Sequence, residues 1–164
     1  MPFDLARICL VVLDAEPGAA PLWRQLGLAA GVKTLTVLAE PAKVWPLLGG
    51  AGAADALLLR WDDAGRGADL LQRLRRDAAS PNPFLPCLAV IAALTRERAR
   101  AALDAGVHGI LVPPLAPQSL RRKLLEVIET PRKFIRVASY FGPDRRRQPR
   151  PDYAGPFRRQ SDRK

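Results

Sequence analysis

Five short apolar runs, each followed by a stretch of helical spacing, constrain this chain more than any other feature. They cover residues 8–13, 34–38, 56–59, 87–92 and 109–112. Short apolar runs of this length, rich in Val, Leu and Ile, are how strands buried on both faces read. Helical periods separate them. Leu22, Leu26 and Ala29 are closed by Gly31, and residues 41–48 by Gly49 and Gly50. Leu70, Leu71 and Leu74 mark a third helix, residues 97–105 a fourth stopped by Gly106, and residues 119–128 a fifth. Strand and helix alternating five times predict an α/β domain, a five-stranded parallel sheet doubly wound by helices. In such sheets the functional crevice lies at the carboxyl ends of the strands. Here those ends carry Asp14-Ala15-Glu16, Arg60-Trp61-Asp62, Ala92-Ala93 and Pro113-Pro114.

The pattern stops near residue 130, and the charge balance changes there. Residues 131–164 hold eleven Lys and Arg against three Asp, a net of +8 out of +10 for the chain. Within them a Tyr-x-Gly-Pro-x-Arg-Arg unit occurs twice, starting at Tyr140 and at Tyr153. The expected organisation is a domain over 1–130 and a basic, Pro/Arg/aromatic tail over 131–164, disordered or docked. Arginines interleaved with aromatics suit a polyanion or a protein surface. The candidate contact residues are Tyr140, Phe141, Arg145, Arg146, Arg147, Tyr153, Phe157, Arg158 and Arg159. Two copies of one unit suggest bivalent engagement, or docking of each unit on a separate surface. The plain alternative is a solubilising terminus.

Other function classes find no support. Cys9 and Cys87 lie in apolar runs without disulfide or metal-ligand spacing, so buried, reduced thiols are expected. His108 has no second ligand at metal spacing, so a surface or helix-end position is expected and no metal is assigned. There is no phosphate-cradling glycine motif, which leaves cofactors unassigned. Asp62 and Asp63 read as solvated loop carboxylates in preference to ligands or phosphate acceptors. Residues 1–7 do not have the makeup of a signal peptide, and no window suits a membrane span. The expectation is a cytoplasmic protein that is not an enzyme.

With these strand ends in view, the chain resembles a response-regulator receiver domain of the flavodoxin-like fold over roughly residues 6–129. In that family the first strand ends in an acidic pair, the third in a phospho-accepting Asp, the fourth in Thr or Ser, and the fifth in Lys-Pro. The matching positions here hold Asp14 with Ala15 and Glu16, then Arg60, Ile91 and Pro113. A guanidinium stays protonated and is no nucleophile, Ile91 has no hydroxyl, and Pro113 has no charge. The resemblance therefore implies a degenerate pseudo-receiver, a bacterial two-component signalling protein that acts by protein binding without phosphotransfer. An ion pair from Arg60 to Asp14, and to Glu16, would replace the metal. An Arg60 that reaches solvent over an inert pocket is the alternative. For the whole chain, an RNA- or ribosome-associated protein using the tail, and a phosphoreceiver with an atypical acceptor, remain as alternative readings.

Overall fold

The computed structural model describes residues 4–145. Five strands form one parallel sheet: β1 (Cys9–Leu13), β2 (Thr34–Leu38), β3 (Ala56–Arg60), β4 (Cys87–Val90) and β5 (Gly109–Leu111), in the order β2-β1-β3-β4-β5. The helices between and after them are α1 (Ala19–Ala30), α2 (Pro41–Val44), α3 (Arg66–Arg76), α4 (Arg96–Ala105) and α5 (Pro117–Glu129). The expected architecture is present. The fourth and fifth strands are shorter than the apolar runs, because Ile91 and Val112 fall just beyond them.

Successive strand residues point to opposite faces, so each apolar run feeds two cores. Leu10, Val12, Leu58, Leu88 and Val90 pack with Trp23 of α1 and Leu120, Leu124 and Val127 of α5. Val11, Leu13, Leu57, Leu59 and Ala89 pack with Val44, Leu70, Leu71, Leu74 and Ala102 from α2, α3 and α4. Burial on both faces explains why these strands carry few polar residues. Gly67 lets α3 start against the end of β3, since a Cβ there would meet the Arg60 carbonyl oxygen at 2.7 Å. Among the described residues no helix is long and apolar enough to cross a membrane.

The folded body continues past residue 130. A hairpin of β6 (Phe134–Val137) and β7 (Tyr140–Pro143) packs against α3 and α4. The first Tyr-x-Gly-Pro unit is its second strand, and its side chains have structural jobs there. The Tyr140 hydroxyl donates to the Pro143 carbonyl at 2.8 Å, and the Arg145 guanidinium lies 4.2 Å over the Tyr140 ring. Arg145 also pairs with Asp104 of α4. Gly142 is required by crowding: a Cβ would meet the Tyr140 hydroxyl at 2.5 Å and Gly106 Cα at 2.9 Å. Pro143 sits opposite Phe134 in register, while the neighbouring Asp144 N–H donates to the Lys133 carbonyl at 2.7 Å. Ladder bonds alternate along an antiparallel pair, so the Pro143 position needs no N–H and its lack costs nothing. Arg146 and Arg147, and the second unit with Tyr153, Phe157, Arg158 and Arg159, lie outside the described residues.

Candidate functional site

Register assembles the crevice. Leu13 pairs with Leu59, so the next residues, Asp14 and Arg60, emerge side by side. Their surroundings form a cleft of about 290 Å³ at the carboxyl end of the sheet, lined by Asp14, Glu16, Arg60, Asp62, Asp63 and Arg98 among others. Arg60 Nη1 stands 3.6 Å from Asp14 Oδ2, and Nη2 stands 3.6 Å from Glu16 Oε2. The Asp14 side chain is 1% exposed and that of Arg60 28%. The guanidinium thus reaches the mouth of the cleft while its acidic partner is sunk in the wall.

Asp14 is held by more than charge. Trp23 of α1 donates its indole N–H to Oδ2 at 2.8 Å, and the Glu16 backbone N–H donates to Oδ1 at 3.0 Å. The sequence reading missed Trp23; its one available signal was an indole that needs a polar partner when buried. The indole bond and the two ion contacts have different weights. At 3.6 Å with a part-exposed Arg60, the ion contacts contribute modestly. A buried indole N–H left without an acceptor costs about 1–3 kcal/mol. Asp14→Ala should therefore lower unfolding stability by about 2 kcal/mol in urea titrations. A loss below about 0.5 kcal/mol would show that Asp14 carries no structural weight.

The loop after β3 is also arginine-bound. Asp62 Oδ2 lies 3.4 Å from Arg66 Nε, and Asp63 pairs with Arg98, whose other arm donates to the Ala93 carbonyl at 3.3 Å. Asp62 Oδ1 is buried without a hydrogen-bond partner. Asp63, 85% exposed, is a solvated loop carboxylate as expected, whereas Asp62 is 28% exposed and drawn in beside Arg66 at the start of α3. Ala15 is half-buried and offers no ligand atom. Ile91 is fully buried in the core, its N–H bonded to the Leu111 carbonyl at 2.9 Å. Pro113 is half-buried after β5, in the cis Pro113-Pro114 pair.

A divalent metal at this place would need clustered carboxylate oxygens with room between them. Here the Arg60 guanidinium stands against both acids of the β1 end, and Ala15 between them in sequence offers no oxygen donor from its side chain. Among the described residues, no group of three or more His, Cys, Asp or Glu side chains is placed to hold a metal ion. The residues do not fit the metal.

His108 differs from expectation. It is 4% exposed, beneath the hairpin, and its Nδ1 accepts the Cys87 N–H at 3.1 Å. Its ring lies 5.5 Å from Phe134. Burial first, then the charges of Arg75 and Arg132, hold its pKa down to about 3. Position just ahead of a strand suggested exposure; the hairpin covers it instead. Cys87 is fully buried, and burial pushes its thiol pKa up, which suits an inert core cysteine.

No protein-family model matches the chain. It is 34% identical to chemotaxis protein CheY-3 of Vibrio cholerae over 79 residues, which is 48% of this chain and 59% of that protein. It is 35% identical to chemotaxis protein CheY of Pseudomonas aeruginosa over 80 residues, covering 48% and 63% of the two chains. The matches thus span about three fifths of these relatives' length. Among solved structures, the receiver domain of Francisella response regulator 1452 superposes with a TM-score of 0.62 at 18% identity, covering 75% of this chain and 98% of that one. Vibrio cholerae chemotaxis protein CheY4 gives 0.62 at 17% identity, covering 73% and 98%.

Proposed function

We propose that this chain, which has the fold of response-regulator receiver domains, is a cytoplasmic signalling protein of the two-component type that works by binding a protein partner, without aspartyl phosphorylation. One observation carries this reading: a guanidinium, held against Asp14 and Glu16, stands where the resemblance puts the phospho-accepting carboxylate. Phosphoryl transfer to a side chain needs a nucleophile, and arginine stays protonated. It also needs charge stabilisation on the incoming phosphoryl group. Pro113 offers no amine for that, and Ile91 is buried hydrocarbon. Arg60 supplies permanently the positive charge that a metal would bring, so the crevice has no vacant state to be switched by an ion.

Asp62 is the strongest rival acceptor, given its partnerless oxygen, but Arg66 engages its other oxygen. Incubation with acetyl phosphate and Mg²⁺, followed by intact-protein mass spectrometry, tests the reading. The expected result is an unmodified mass under conditions that label a working receiver run in parallel. A phosphoryl adduct mapped to Asp62 or Asp63 would overturn it.

A further inference from the structure

A basic concave surface lies at the opposite end of the sheet from Arg60. It is a cleft of about 720 Å³ between the end of α3 and the hairpin, lined by Arg75, Arg76, Asp77, Arg136, Tyr140 and Phe141 among others. That volume falls within the roughly 300–1,000 Å³ of small-ligand and side-chain-anchoring sites. Three arginines face one carboxylate there. Asp77 is already engaged, accepting from Arg73 Nε at 3.3 Å and from the Ala79 N–H at 2.8 Å. Both contacts, the Ala79 bond foremost, hold its carboxyl pKa down, so it stays ionised and paired.

The arginines are fixed in place. Arg75 is 3% exposed, and its hydrogen bonds run to the carbonyls of Gly106, Pro83 and Leu85. Arg76 Nη2 donates to the Ser139 carbonyl in the hairpin turn at 2.9 Å. The Arg136 guanidinium carbon lies over the Phe141 ring, 4.4 Å from its centre. The aromatic faces are therefore covered by the chain's own guanidinium groups, Arg136 on Phe141 and Arg145 on Tyr140, and the Phe141 ring also meets Phe84 and Phe134. Binding of single-stranded nucleic acid depends on open aromatic faces for its bases. What this cleft presents to a ligand is the exposed guanidinium groups of Arg76 and Arg136, a type of group that matches carboxylates in two-pronged fashion.

We propose that this cleft binds a carboxylate-rich segment of a partner protein. The inference rests on the binding function proposed above and gives it a place. Residues 146–164 follow in sequence and carry seven Lys and Arg against two Asp, a net charge that attracts the same acidic segment to the chain. The cleft supplies the fixed geometry, and the following residues the long-range attraction.

Fluorescence anisotropy of a labelled hexaglutamate peptide on the full chain tests this, with a hexauridylate of matched label alongside. Arg76→Gln with Arg136→Gln should weaken peptide binding roughly tenfold, the loss of two charge-assisted contacts. Arg158→Gln with Arg159→Gln removes the same charge elsewhere and should weaken it no more than about threefold. Ala138→Asp sets a carboxylate at the cleft while leaving every arginine, and should weaken the peptide as the first pair does. Equal losses from the two pairs, unchanged binding in Ala138→Asp, or no peptide binding by the parent chain overturns the proposal. So does a cleft-dependent loss of uridylate in place of peptide. None of these outcomes bears on acetyl phosphate labelling, so the two readings fail separately.

Discussion

Replacing Arg75 by Met should cost about 3–5 kcal/mol of unfolding stability. Arg75 is a buried cation whose guanidinium gathers three stretches of backbone. Nε and Nη2 donate to the Gly106 carbonyl at 3.2 and 3.1 Å, Nη1 to Pro83 at 2.7 Å, and Nη2 to Leu85 at 2.9 Å. Gly106 closes α4, so the positive charge also lies at the negative end of that helix dipole. Hydrogen bonds from a charged donor contribute about 1.5–3 kcal/mol each, and buried carbonyls left without donors carry their own penalty. Against that, methionine removes the cost of desolvating a cation, which keeps the loss below the simple sum.

The hairpin should suffer first, because Arg75 also lies 5.2 Å from the Phe134 ring centre. Urea unfolding of the parent and Arg75→Met measures the loss. Limited trypsin digestion, probing Lys133 and Arg136, reports the hairpin separately. Arg75→Lys keeps the charge but cannot span three carbonyls, so it should fall between the two. A loss under about 1 kcal/mol for Met would mean the carbonyls find water and Arg75 is no keystone.

What could be read from the chain beforehand follows from what each contact depends on. The strands were legible because burial on both faces demands unbroken apolar runs, as in Leu57-Leu58-Leu59 and Cys87-Leu88-Ala89-Val90. Once the strands are paired in register, Asp14 and Arg60 must share the crevice, so that neighbourhood was legible too. The contacts of Trp23, Arg75 and His108 were not. Each meets a partner nine or more residues away, and nothing in the local pattern distinguishes a buried Arg75 from the exposed arginines around it. The hairpin was obscured for a different reason. Phe134-Ile135-Arg136-Val137 is four residues long, in a segment dominated by basic charge, and an isolated hairpin is marginal in water. It exists because Phe134 and Phe141 have Phe84, His108 and Arg75 to pack on. The same packing buries His108.

That burial sets a pH dependence. In an unfolded chain the imidazole titrates near ~6.5, whereas in the folded protein it is held to about 3. The folded state therefore keeps His108 neutral where the unfolded chain takes up a proton. Stability is full above the unfolded pKa and falls as pH drops below it, down to the folded value. Between pH 7 and pH 5 the loss should be about 2 kcal/mol. The structure supplies the cause directly: Nδ1 is already occupied as an acceptor of the Cys87 N–H, and Arg75 and Arg132 oppose a new positive charge. His108 is the one histidine in the chain, so no other imidazole titrates in this window, and comparison with His108→Gln cancels what carboxylates add. Urea unfolding at the two pH values should show the drop in the parent and not in His108→Gln, whose amide oxygen can still accept from Cys87. The variant starts lower at pH 7, so only the difference between pH values is compared. If the parent loses no more than His108→Gln from pH 7 to 5, the imidazole takes up its proton without unfolding, and the hairpin does not seal it.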